Sequence, residues 1–129
     1  KSITTGKKAE ASNVYRGMSE FGPASAVDGD SSTRWATDHG VTNAYLQIDL
    51  GTPQKFNYVA IEEAYPGRIT NFELKYLKNN NWITFYKGKH IGERFEASFP
   101  MVKAQYIRLE ILNATEGPTI YEFQLYYKD

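Results

Sequence analysis

Apolar and polar positions alternate with a period of two along most of this chain. Over residues 44–50, Leu46, Ile48 and Leu50 fall on one face, and Tyr45, Gln47 and Asp49 fall on the other. That is the pattern of a strand with one buried face. The same alternation groups Phe72 with Leu74 and Tyr76, Ile107 with Leu109 and Ile111, and Phe123 with Leu125 and Tyr127, each run bounded by Gly, Pro or Asn. Val59, Ala60 and Ile61 are continuously apolar, which predicts a central strand covered on both faces. Asn79, Asn80 and Asn81 precede Trp82. Asparagine tolerates the positive φ of a tight turn, so this segment reads as a hairpin. One turn over residues 23–27 is the sole helical candidate, opened by Pro23 and ended by Asp28 and Gly29. Short strands with turn signals every eight to twelve residues or so predict an all-β fold, a two-sheet antiparallel β-sandwich.

With 129 residues the chain is long enough for one core and short for two, so residues 1–129 are expected to form a single domain. Fifteen Lys and Arg balance fifteen Asp and Glu. The basic residues are scattered and form no stripe, which argues against nucleic acid as a partner. Cysteine is absent, which excludes disulfides and thiolate metal sites. No apolar run reaches the ~20 residues of a membrane-spanning helix. The first residue is Lys1, and the chain is expected to be processed or cut from a larger protein. Ten Tyr and two Trp are present; flat aromatic faces suit sugars and half-buried strands alike. Trp35 and Trp82 both lie at the edge of an apolar pattern and are expected in the core.

The candidate chemistry begins at residues 26–35, which read Ala-Val-Asp-Gly-Asp-Ser-Ser-Thr-Arg-Trp. Hard cations take oxygen ligands, and Asp28, Asp30, Thr33 and nearby carbonyls supply several from one turn, with Gly29 letting the backbone fold back. The spacing is not that of an EF-hand, so a ligand must come from elsewhere in the chain. An Asx-type surface turn without metal is the competing reading. Glu62 and Glu63 are neighbours. In a strand they point to opposite faces and cannot flank one glycosidic bond. No nucleophile elbow, Gly-rich phosphate loop or Cys-His pair is present, so the chain reads as non-catalytic.

Residues 26–35, followed by Tyr45-Leu-Gln-Ile-Asp-Leu-Gly51 and by Pro118-Thr-Ile-Tyr-Glu-Phe-Gln-Leu-Tyr126, resemble the discoidin or coagulation factor 5/8 type C family, which includes carbohydrate-binding module family 32. The second half, with Glu62-Glu63, Gly67-Arg68, Phe72-Glu73-Leu74, Trp82, Ile91-Gly92 and Ile120-Tyr-Glu-Phe, is similar to the module C-terminal to the catalytic barrel of family 29 alpha-L-fucosidases. The resemblance implies a jelly roll of the galactose-binding-domain type. It also implies a structural calcium held by the Ser25 carbonyl, the Asp28 carboxylate, the Asp30 carbonyl, the Thr33 carbonyl and hydroxyl, the Tyr121 carbonyl and the Glu122 carboxylate.

For function, the resemblance implies an accessory carbohydrate-binding module of a glycoside hydrolase, an alpha-L-fucosidase before a hexosaminidase. Its partners would be a glycan ending in galactose, N-acetylgalactosamine or fucose and the parent catalytic domain. Binding loops are sought at residues 15–22, 36–43, 62–69 and 112–118. His39, Glu63 and Arg68 would hold sugar hydroxyls, with Asn43 beside them and Tyr65 or Tyr15 as the stacking platform. Without that resemblance, Glu63 and Arg68 read as an exposed ion pair across the Pro66-Gly67 turn. The alternative function is a structural or adhesion module without glycan binding. Its membrane-inserting form is disfavoured by polar loops in which Met18 and Phe21 are the apolar tips. A secreted, periplasmic or cell-surface, bacterial, monomeric protein is expected.

Overall fold

The computed structural model describes residues 1–129. Seven strands run in the order β1 (Lys8–Ala11), β2 (Trp35–Ala36), β3 (Ala44–Glu63), β4 (Ile69–Lys78), β5 (Asn81–Gly88), β6 (Phe95–Ala114) and β7 (Thr119–Tyr126). Every pairing is antiparallel, in the order β2-β7-β3-β6-β4-β5, with β1 against β3.

Two layers arise because β3 and β6, 20 residues each, change partners midway. The first half of β3 pairs with β1 and the end of β6, with Ile48 opposite Ala9 and Ile107. Its second half pairs with the start of β6 and with β7, with Val59 opposite Ala97 and Leu125. The β3–β6 register breaks between Asp49 and Gln54 and again between Phe56 and Tyr58, where the pair crosses from one layer to the other. One sheet therefore holds β1, β4, β5 and half of each long strand; the other holds β2, β7 and the remaining halves. Side chains meet across the interface: the Phe72 ring of β4 stands 5.3 Å from Phe95 of β6, and Phe85 of β5 stands 4.7 Å from Phe99. The fold is a two-sheet antiparallel β-sandwich of the jelly-roll kind.

The core contains 23 buried residues, and the alternation places them. Leu46, Ile48 and Leu50, Phe72 and Leu74, Ile107, Leu109 and Ile111, and Phe123 and Leu125 are all at most 1% exposed. Each contributes about 1.5–3 kcal/mol by leaving water. Val59, Ala60 and Ile61 are buried between β6 and β7 as a central strand should be. The β4–β5 hairpin turns on Asn79 and Asn80, at φ 52 and 65, the left-handed pair that matches the strand twist. The turn at Pro23–Ala26 is a 3-10 helix, and two further such turns, Tyr15–Gly17 and Ser19–Phe21, precede it.

Two expectations are corrected. Trp35 is buried, its indole N–H donating to the Asn13 carbonyl at 2.9 Å, but Trp82 is not in the core. It pairs with Leu77 on the face of β4 that also carries Lys75, so the hairpin's phase turns it outward. There the Arg108 guanidinium lies 4.4 Å from the Trp82 ring and 4.0 Å from Tyr45. Tyr127 falls beyond the end of β7 and is exposed, not aligned with Phe123 and Leu125.

Candidate functional site

The short strand β2 determines the site's position. Its pairing with β7, Trp35 opposite Ile120 and Ala36 opposite Thr119, brings residues 34–39 against 116–119. The Thr37 hydroxyl fastens them by donating to the Pro118 carbonyl at 2.8 Å. Gly117 fits because it has no Cβ: one would sit 2.6 Å from the Asp38 carbonyl and 3.0 Å from the Thr37 hydroxyl. The 64–68 loop is tied to the same place. The Ala64 N–H donates to the Thr119 carbonyl at 3.1 Å, Arg68 Nη1 donates to the Gly117 carbonyl at 2.8 Å, and the Thr115 N–H donates to the Arg68 carbonyl at 2.8 Å. The Asp38 carboxylate draws in the fourth segment, accepting from the Arg16 N–H at 2.7 Å and from Asn13 Nδ2 at 3.1 Å.

These four segments enclose a pocket of about 220 Å³ at one end of the sandwich. Tyr15, Phe21 and Tyr65 give it aromatic walls, and Arg34, His39, Arg68 and Glu116 are among its polar groups. The Arg68 guanidinium lies 4.2 Å from the centre of the Tyr65 ring, and Arg34 lies 5.7 Å from Tyr65 and 5.0 Å from Phe21. Glu116 accepts from the Gly40 N–H at 2.6 Å and the Gly117 N–H at 2.7 Å, and its second oxygen meets His39 Nδ1 at 2.9 Å. Those donors, the backbone ones foremost, hold its carboxyl down at about 2. The Arg16 N–H and Asn13 likewise lower Asp38. Both acids stand in the pocket as carboxylates.

Of the residues expected to bind sugar, the fold unites Tyr15, His39, Tyr65 and Arg68 around this pocket. Asn43 lies outside it, exposed just ahead of β3. Glu63 is corrected: it points into the core at 2% exposure and outside the pocket. Its carboxylate accepts from the Ile69 N–H at 2.9 Å and the Gly92 N–H at 3.0 Å, with the N–H groups of Gly67 and Arg68 also directed at it. Burial raises its pKa, and those donors oppose the rise. No Glu63–Arg68 ion pair forms, because one residue faces the core while the other reaches Gly117. The pocket's acids are Asp38 and Glu116. Neither they nor Arg34 and Thr119 were singled out in the sequence, although Asp38 and Glu116 lie in marked loops, and Phe21 was read there only as an apolar loop tip.

The acidic turn gathers oxygens. Thr33 Oγ1 lies 2.5 Å from Asp28 Oδ2, 3.0 Å from the Asp30 carbonyl and 3.3 Å from the Ser25 carbonyl. Asp28 Oδ1 accepts from the Asp30 N–H at 2.9 Å. The Asp30 carboxylate turns away to Ser32, which lowers its pKa and leaves its carbonyl facing the turn. Glu122 reaches the turn from β7, 2% exposed, and its Oε2 has no partner in the chain. Burial, and then the neighbouring Asp28, pushes its carboxyl up to about 8. A register shift opposite Glu62 and Glu63 leaves Tyr121 unopposed in the ladder, as in a β-bulge. A buried orphan oxygen, a second carboxylate beside it and the Ser25 and Asp30 carbonyls fit a hard cation.

The sequence matches the F5/8 type C domain over residues 8–123. The chain belongs to that family. This F5/8 type C domain is 28% identical over 120 residues to a rice protein (Oryza sativa subsp. japonica) named "Putative alpha-L-fucosidase 1"; the match covers 90% of the chain and 23% of the rice protein. Among solved structures it superposes on the Ruminococcus gnavus GH29 fucosidase in complex with fucose at a TM-score of 0.89 and 28% identity, covering 100% of this chain and 27% of that one. It superposes on chitosan-binding module 1 of the chitosanase/glucanase from Paenibacillus sp. IK-5 at a TM-score of 0.86 and 25% identity, covering 98% of both chains. The F5/8 type C domain thus spans about a quarter of the fucosidases it matches and the whole of a separate binding module.

Proposed function

We propose that this domain is a non-catalytic carbohydrate-binding module of a secreted, periplasmic or cell-surface glycoside hydrolase, an alpha-L-fucosidase by its relatives. The observation that carries the reading is the pocket of about 220 Å³ with aromatic walls and convergent polar groups, room for one terminal sugar. Tyr65, Tyr15 and Phe21 would offer apolar faces to the sugar's C–H groups. Arg34, Arg68 and the His39–Glu116 pair would take its hydroxyls. Galactose, N-acetylgalactosamine and fucose are the terminal sugars to try first. The names of the fucosidases and of the chitosan-binding module support the class. Glycoside hydrolysis needs one carboxylic acid kept protonated. Here both pocket acids have lowered pKa values, and Glu62 is bound to Arg94 at 2.6 Å on the outer face.

Calcium is the second part of the proposal. Ser25, Asp30, Thr33 and Tyr121 would supply carbonyls, Thr33 its hydroxyl, and Asp28 and Glu122 their carboxylates, a set suited to calcium over the stricter octahedron of magnesium. The ion would relieve the repulsion between the two carboxylates and tie the N-terminal turn to β7. The domain would act as a monomer appended to its catalytic partner. A glycan array in calcium, followed by titration of the best terminal sugar, tests the reading. Binding at a Kd of about 0.1–1 mM, with NMR shifts at Tyr65, Arg68 and Glu116, is expected. Shifts confined to the opposite end of the sandwich would refute it.

A further inference from the structure

The pocket's hydrogen-bonding capacity is lopsided. Every oxygen of its two acids already has at least one partner in the chain, Asp38 from Arg16 and Asn13 and Glu116 from Gly40, Gly117 and His39. Two of its donor groups have none. Arg34 Nε and the Thr119 hydroxyl are buried with no partner in the chain, and Thr119 is only 4% exposed. Neither Arg34 nor Arg68 forms an ion pair, and Arg68 commits Nη1 alone, to the Gly117 carbonyl. Both guanidiniums are drawn to the Tyr65 ring, at 4.2 and 5.7 Å from its centre. Two cations thus line one pocket, and neither is paired with an acid.

Buried donors left unmade are costly, so a ligand that satisfies them is favoured over one that does not. A sugar hydroxyl brings one acceptor together with a donor that needs its own partner. A carboxylate brings two acceptors and no donor, in the plane that a guanidinium fork matches bidentately. We propose that this pocket prefers a sugar bearing a carboxylate, a uronic acid, with Arg34 and Thr119 as its specificity-determining residues. This rests on the sugar-pocket reading above and narrows it from neutral terminal sugars to an acidic one.

The test is titration of the 129-residue chain with galacturonate, galactose and galactose 6-sulfate at fixed ionic strength, followed by calorimetry and by NMR shifts. Galacturonate should bind at least tenfold more tightly than galactose, and the ratio should shrink as salt rises. Arg34→Met and Thr119→Val should each bring the ratio below threefold. Arg34→Lys, which keeps the charge but not the fork, should restore it only in part. Folding of each variant is checked by its NMR spectrum, and Thr119→Val changes so little volume that it remains informative if Arg34→Met does not fold. Galactose binding as well as galacturonate at this pocket would overturn the acidic preference and leave the sugar pocket standing. Tighter binding of the sulfate would assign the donors to a sulfated sugar and overturn the carboxylate. Failure of all three sugars to shift Tyr65, Arg68 or Glu116 would remove the pocket reading and this inference with it.

Discussion

Glu63→Ala is expected to destabilise the domain more than any pocket substitution, although Glu63 lies outside the pocket. Its buried carboxylate accepts the Ile69 and Gly92 N–H groups at 2.9 and 3.0 Å, and so pins the 64–68 loop and the turn before β6 to the end of β3. Alanine leaves the buried Ile69 donor and the part-buried Gly92 donor unpaired, at up to about 1–3 kcal/mol each, or about 2–6 kcal/mol together. That is a large share of the ~5–15 kcal/mol that holds a domain of ordinary stability. Glu63→Gln keeps the shape and one accepting oxygen but turns an NH₂ toward a donor, so about 1–3 kcal/mol is expected. Burial raises the folded-state pKa of Glu63, so the native state holds this proton longer than the unfolded chain. Stability from this group is therefore greatest below the ordinary carboxylate range and falls as pH rises toward the raised value; Glu63→Gln should flatten that slope. Urea unfolding at several pH values measures all three effects. A loss under about 0.5 kcal/mol in Glu63→Ala at unchanged m-value would refute the reasoning. Lost sugar affinity at unchanged stability would return Glu63 to the binding site.

Calcium should raise the melting temperature of the domain, by about 2.7 kcal/mol of stabilisation at a hundredfold excess over Kd; chelation should reverse the gain and Asp28→Ala or Glu122→Ala abolish it, as thermal scans would show. Because Glu122 holds a proton up to about 8 in the ion-free fold, the calcium-free domain should lose stability as pH rises from the carboxylate range to about 8. Calcium affinity should climb through that window, by at most about tenfold per unit, and level off above it, as calorimetry would register. Gly117→Ala should force residues 36–39 away from 116–119 at a cost of about 1–3 kcal/mol, with sugar affinity falling at least tenfold in the same titration. Arg68→Ala should weaken sugar binding at least tenfold by removing both a donor and the Gly117 anchor, whereas Lys78→Ala at the β4–β5 turn should leave it unchanged.

The core was legible because burial against a second sheet leaves one consistent phase per strand, and Leu46, Ile48 and Leu50 show it. The same rule carried two positions past Ile61 puts Glu63 on the core face beside Val59 and Ile61. Period two thus contained the correction, and the role implied by the family resemblance overrode it. The length of β3 and β6 was not legible: the bend after Leu50 falls in Gly51-Thr52-Pro53, which reads locally as a turn ending a strand, and only the pairing with β6 shows that the ladder resumes at Gln54. The pocket was the least legible of all. The state of Glu116 depends on the Gly40 N–H and His39, 76 and 77 residues away in sequence. Those donors converge only after β2 has paired with β7. Until then Glu116 is one carboxylate among many, and Arg34 is an arginine after an acidic turn. Chemistry built from loop segments becomes readable only through the strands that carry them, so the two-residue strand Trp35–Ala36 decides more about function here than any longer element.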